Sequence, residues 1–231
     1  MKVEIKYQPS YAMLEVELEA DEKITGEGGA MTYMTPNIAV DTRTRERSIL
    51  GSISLSVLGR QSLFVNDFVA KGGPGRLGLA AAPVGDIQEL KVSEKGGFII
   101  QKAAYLASTD GVELDVKWEG FSKGIFGQGL LMVKCSGNGD LFINTFGAIE
   151  EKRLKAGEEL IVDNFHLVAF SDSCDYQVEK FGGWKETILS GEGLVTRIRG
   201  PGEVYIQTKN LREFVDWLWI LMGPRVHSRA R

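Results

Sequence analysis

Residues 137–146 read GNGDLFINTF, and residues 59–68 and 200–209 read GRQSLFVNDF and GPGEVYIQTK. Each is a glycine turn followed by apolar, aromatic, β-branched and amide side chains. Leu63-Phe64-Val65-Asn66, Leu141-Phe142-Ile143-Asn144 and Val204-Tyr205-Ile206-Gln207 therefore align as one strand position in three copies. A second match supports the first. Phe98-Ile99-Ile100-Gln101 leads to Tyr105-Leu106-Ala107, and 62 positions later Leu160-Ile161-Val162-Asp163 leads to Leu167-Val168-Ala169. The aligned copies start 78 and 63 residues apart, so the repeats differ in their loops. Approximate repeats over 1–75, 76–150 and 151–209 follow, with a separate segment at 210–231. An alternating strand buries one row of side chains, so each unit leaves an apolar face and open edges that another copy or another chain must cover. Homo-oligomerisation is the physical expectation.

The rest of the chain agrees with many short strands. Among 231 residues, 43% are hydrophobic and 25% charged, and there are 28 Gly against 6 Pro. That is ordinary globular composition with an excess of turn-forming residues. Tyr11–Leu18 (YAMLEVEL) alternates apolar with acidic, the pattern of a strand with one wet face. Glycine turns recur at GEGG (26–29), GGPG (72–75), GNG (137–139), and GPG (200–202), so Gly137, Gly139, Gly200 and Gly202 are architectural. Turn signals this frequent favour a sandwich, barrel or β-roll. Two cysteines build no disulfide framework and no signal-peptide pattern opens the chain, which points to the cytoplasm; no apolar run is long enough to span a bilayer.

Candidate chemistry is sparse. The two histidines, His166 and His227, cannot supply a cupin-type metal site. His166 sits in an apolar strand pattern (NFHLVAF) that suits a hydrogen-bonded core or rim position. No G-x-S-x-G elbow occurs. Cys135 lies between Lys134 and Ser136 in a strand, and Cys174 stands near Asp172 and Asp175, whose charges discourage a thiolate. GIFGQG (124–129) has neither the dinucleotide order nor the P-loop ending and reads as a turn. The segment EEKRLKAGEE (150–159) reads as a solvated face. Nucleic acid has only Arg43, Arg45 and Arg47 with Lys152, Arg153 and Lys155 to hold it, without interleaved aromatics and against a net charge of −4, so it is disfavoured. We expect no catalytic residues, no metal and no cofactor.

Only the end of the chain has helical periodicity. Asn210 and Glu213 have capping-box spacing, Leu211, Phe214, Val215, Leu218 and Met222 make one stripe, and Gly223-Pro224 is a stop signal. A helix over 211–222, docked on a sheet by that stripe, is expected. Trp217 and Trp219 widen the apolar arc and Ile220 falls on the polar side. These three residues are the candidate contact patch for a protein partner or a membrane surface, assisted by Arg225, Arg229 and Arg231 where the target is anionic.

Several stretches taken together resemble a known family: Gly29-Ala30-Met31 through Tyr33-Met34-Thr35, Ala82-Pro83-Val84-Gly85-Asp86-Ile87, Gln101 through Leu106-Ala107-Ser108, Gly127-Gln128-Gly129-Leu130, and Gly200 through Thr208. In this order they are similar to the altered-inheritance-of-mitochondria, or mitochondrial-biogenesis-type, proteins. Where the family shows Pro-Gly-Asp this chain has Val84-Gly85-Asp86. The resemblance implies an all-β fold, a duplicated β-roll. This is a shortened double-stranded β-helix like the tryptophan RNA-binding attenuation protein, here with a short C-terminal helix and with subunits in homotrimers. It carries no catalytic residues over. The functional expectation is a non-catalytic oligomeric scaffold or partner-binding protein. The alternatives are a small-ligand binder or enzyme using a cleft between repeats, and RNA binding.

Overall fold

The structure is a computed structural model that describes residues 1–45, 63–119, 130–180 and 194–228. It is nearly all antiparallel β, with one helix at the C-terminal end. After a leading strand β1 (Lys2–Lys6), the first six-strand unit comprises β2 (Met13–Leu18), β3 (Lys23–Glu27), β4 (Met31–Met34), β5 (Ile38–Arg45), β6 (Leu63–Ala70) and β7 (Gly75–Leu79). The second runs β8 (Ile87–Val92), β9 (Phe98–Gln101), β10 (Tyr105–Thr109), β11 (Val112–Glu119), β12 (Leu130–Gly137) and β13 (Gly139–Asn144). The third runs β14 (Ile149–Leu154), β15 (Glu159–Asp163), β16 (Leu167–Ser171), β17 (Asp175–Lys180), β18 (Leu194–Arg199) and β19 (Gly202–Gln207), and helix α1 (Leu211–Ser228) follows.

The pairing repeats with a shift of six strands. The ribbon β2-β7-β4 becomes β8-β13-β10 and then β14-β19-β16, while β5-β6-β3 becomes β11-β12-β9 and then β17-β18-β15. Even the irregularity recurs: the strand pairs slip by one residue at Met31/Tyr33, at Tyr105/Ala107 and at Leu167/Ala169. A bulge twists its strand locally and pins the register. Neighbouring units are joined edge to edge by β3 with β10 and by β9 with β16, with Ala107 opposite Gly26 and Ala169 opposite Ile100. The result is four sheets of four, six, six and three strands.

Three apolar layers fill the gaps between successive sheets. Leu14, Val16, Leu77 and Leu79 of the first sheet meet Phe68, Leu106 and Phe142 of the second. The other face of the second sheet, with Val65, Leu90 and Leu141, packs on Ile100, Val133 and Tyr205 of the third. Phe170 and Val204 of the third meet Val162 and Ile198 of the last. Strand alternation makes this possible, since each six-strand sheet is apolar on both faces while the outermost faces carry charges such as Glu15 and Arg197.

One alignment from the sequence is corrected. Leu63–Asn66 belongs to β6, whose counterparts are β12 and β18, whereas Leu141–Asn144 and Val204–Gln207 belong to β13 and β19. The true first copy is the β7 stretch GPGRLGLA (73–80), which places the glycine turns 64 and 63 residues apart. Gly78 stands where Phe142 and Tyr205 stand in the later copies, because the ring of Tyr33 fills the space a side chain there would need. The aromatic has moved to the neighbouring strand, and with it the sequence signal.

The helix is also longer than expected, running through Gly223-Pro224 to Ser228. A proline lacks one N–H and so removes one intrahelical bond; its neighbours keep theirs. Nor does the apolar stripe dock on a sheet. Among residues 211–222 only Leu218 is half-buried, and the rest are exposed.

Gly137, between β12 and β13, has φ of 100°, and an added Cβ would run into the carbonyl of Gly111. Replacing Gly137 with Ala should lower unfolding free energy by more than about 1 kcal/mol in chemical denaturation. Gly96, with ordinary φ and open space around it, should accept Ala with little change. Equal effects at both positions would contradict this account of the turn.

Candidate functional site

The amides that end the repeat strands converge where the second and third units meet. Gln101 at the end of β9, Asn144 at the end of β13 and Gln207 at the end of β19 share the wall of a cavity of about 160 Å³ with Phe146, Phe165 and Leu167. Gln207 is clamped: its Nε2 donates to the Phe165 carbonyl at 2.7 Å, and its Oε1 accepts the Phe146 N–H at 2.9 Å. His166, expected as a hydrogen-bonded core or rim residue, donates from Nδ1 to the Gln207 carbonyl at 2.8 Å and so holds this corner of the third unit. Gln101 donates to the Asn164 carbonyl across the turn after β15.

The junction between the first and second units differs. In place of Gln101 and Asn144 it has Glu27 and Ala80. Burial pushes the Glu27 carboxyl up to about 7, and the nearby Lys102 ammonium offsets only part of that. Burial in turn pulls Lys102 below the usual lysine range. A carboxyl raised in the folded state favours folding while it holds its proton; that contribution is complete below the unfolded value near 4.5 and is lost as pH rises through about 7. Glu27→Gln, which copies the side chain at Gln101, should therefore raise the melting temperature above pH 7 and lose its advantage near pH 4. An offset between the two proteins that is flat with pH would show that Glu27 is not the titrating group.

The candidate contact patch lies on α1. Asn210 caps it, its Oδ1 accepting the N–H groups of Arg212 at 2.9 Å and Glu213 at 3.3 Å. Phe214 meets Phe146 edge-on at 5.3 Å and the Arg212 guanidinium lies 5.4 Å from the Phe165 ring, which ties the first turn to the body. Beyond that turn the apolar side chains are largely exposed: Trp217 is 54% exposed, Trp219 61% and Ile220 73%. A groove of about 560 Å³ runs between Trp217, Phe214, Lys209 and the Val84 loop. The side chains of Arg225 and His227, and all of Arg229 and Arg231, lie outside the described residues.

Elsewhere the sequence readings of single residues fall as follows. Cys135 is buried in β12 and its thiol is pushed up to about 12, while Lys134 pairs with Asp172 at 3.3 Å rather than activating it. Cys174 is raised by burial and by Asp175. Lys152 pairs with Glu150, and Arg153 with Glu151 at 2.6 Å, so β14 presents an exposed face of paired charges. The side chains of Arg43 and Arg45, all of Arg47, and the 124–129 turn lie outside the described residues. Among the described residues, no group of three or more His, Cys, Asp or Glu is placed to hold a metal, and no helix is long and apolar enough to cross a membrane. The junction cavity escaped sequence reading because its walls come from strand ends some 40 to 100 residues apart.

The fold and this surface have relatives. An uncharacterised protein of Streptococcus pyogenes serotype M6 is 30% identical over 225 residues, covering 94% of this chain and 90% of that protein. The X-ray crystal structure of a Streptococcus pyogenes protein superposes with a TM-score of 0.77 at 28% identity, covering 94% of this chain and 97% of the other. The family described as Mitochondrial biogenesis AIM24 matches residues 3–209, all three six-strand units, and stops one residue short of the cap of α1. The chain belongs to the AIM24 mitochondrial-biogenesis family.

Proposed function

We propose that the protein is a non-catalytic scaffold that closes into a homotrimeric ring. One observation carries this reading. Two strand edges, β4 in the first unit and β15 in the third, have no strand partner among the described residues, and their counterparts are the strands that join the units internally. β10 and β16 correspond to β4, and β3 and β9 correspond to β15. Carrying over the internal register places Tyr33 of one chain opposite Val162 of the next and Met34 opposite Ile161. Met31, Tyr33, Met34 and Ile161 are exposed apolar side chains on these edges, which an isolated chain would leave as an aggregation hazard. A closed ring covers every such edge once, and the number three rests on the family resemblance. The cytoplasm suits two buried free thiols.

Light scattering at micromolar concentration should give three times the 25.4 kDa chain mass. Oxidised Met34→Cys/Ile161→Cys protein should run on a non-reducing gel as a ladder ending at three chains, while each single variant stays uncross-linked. A persistent monomer, or an oligomer that the paired cysteines never cross-link, removes this reading.

The exposed end of α1 gives the scaffold its contact patch for a protein partner or a membrane surface, through Trp217, Trp219 and Ile220. What supports it is aromatic and apolar surface that stays more than half exposed among the described residues, followed in sequence by Arg225, Arg229 and Arg231. Replacing both tryptophans with Ser should lower sedimentation with anionic vesicles several-fold at unchanged oligomer mass and melting temperature. Dissociation or unfolding of the variant would instead assign the patch to the assembly itself, and binding unchanged by the replacement would remove it.

A further inference from the structure

The cavity at the junction of the second and third units has two hydrogen-bond acceptors that the chain leaves unused. The orientation of both amides is fixed by their donors. Gln101 Nε2 faces the Asn164 carbonyl, and Asn144 Nδ2 faces the carbonyls of Ala103 at 3.4 Å and Tyr105 at 3.5 Å. Flipping either amide would set oxygen against oxygen, so Gln101 Oε1 and Asn144 Oδ1 are the atoms left without a hydrogen-bond partner among the described residues. Around them the wall is apolar and aromatic, with Ala104, Phe146, Phe165 and Leu167, and no ionisable side chain lines it. Its volume of about 160 Å³ compares with the roughly 150 Å³ cavity that accommodates benzene in an engineered protein.

From this geometry we propose that the junction cavity binds a small neutral planar molecule that donates two hydrogen bonds, an aromatic amide or an amino-substituted heterocycle. The flat ring takes the apolar wall, and its N–H groups satisfy the two waiting oxygens. A charged ligand would be stripped of water with no counter-charge to meet it. The site occurs once per chain, because the junction between the first and second units has Glu27 and Ala80 at the positions of Gln101 and Asn144. Leu211, at the start of α1, stands at the mouth, so an occupant sits directly under the base of the helix.

The test uses the full chain and four probes of similar size: benzamide, nicotinamide, toluene and benzoate, followed by ligand-observed NMR and titration calorimetry. Benzamide and nicotinamide should bind at least tenfold more tightly than toluene or benzoate. Gln101→Met keeps length and apolar bulk but removes one acceptor, and should weaken the amides about tenfold while leaving toluene unchanged. Ala104→Val, which narrows the cavity, should weaken every probe that enters. The four-probe ranking on the unmodified protein stands alone should a variant fail to fold. Failure of all four probes to bind at millimolar concentration, an equal affinity for toluene and benzamide, or amide binding indifferent to Gln101→Met would overturn the proposal.

Discussion

Everything in this molecule hangs on strands that belong to one repeat and pair with the next. β3 carries the edge of the first unit to β10 of the second, and β9 does the same from the second to β16 of the third. Without these pairings each unit would be two three-stranded ribbons with one apolar layer, too little to stand alone in water. With them, the two middle sheets have six strands each and are apolar on both faces, so that three successive layers of Leu, Val, Ile and Phe are shared rather than owned. The junction cavity and the raised Glu27 carboxyl follow from the same arrangement. Both occur where strand ends from two units meet and the polar ends of one must be fitted against the apolar start of the other.

The fold was legible in the sequence where side-chain alternation and glycine turns spoke together. Met13–Leu18 alternates as its residues suggest, and the 62-residue echo between Phe98–Ala107 and Leu160–Ala169 marks two true counterparts, β9-β10 and β15-β16. The first copy was not legible, for a reason visible in Gly78. Gly78 lies opposite Glu15 on the outer face of the first sheet, where no apolar layer packs among the described residues, and the ring of Tyr33 reaches over it from β4. LFVN at 63–66 imitates the missing copy because buried strands draw on one small alphabet. Of the site, two of the three aligned amides, Asn144 and Gln207, do meet, joined by Gln101 of the second match, while Asn66 in β6 does not line the cavity. Their grouping into one cavity depends on backbone carbonyls at Ala103, Asn164 and Phe165, which no residue type announces.

The C-terminal helix stands apart from this logic. It lies beyond the part of the chain that matches the family, and its apolar stripe, widened by Trp217 and Trp219, stays largely exposed. Amphipathic periodicity implied a docked helix, but the three apolar layers of the body are formed between sheets, and among the described residues the outermost sheet faces carry charges such as Glu15 and Arg197. A single cap at Asn210 and two aromatic contacts fix where it starts and leave its later turns to solvent.

The interleaved pairing also governs the order in which a growing chain can become stable. Strand β3 is made early, yet its second edge stays open until Tyr105–Thr109 has emerged, some 80 residues later. Strand β9 waits in the same way for Leu167–Ser171. No six-strand unit is finished by its own last residue, so synthesis adds partly edged intermediates, each completed by the next stretch of chain. The contacts that close the fold are distant in sequence, which slows folding and lengthens the time that unpaired edges face other nascent chains. In the third unit the edge of β15 has no strand partner among the described residues.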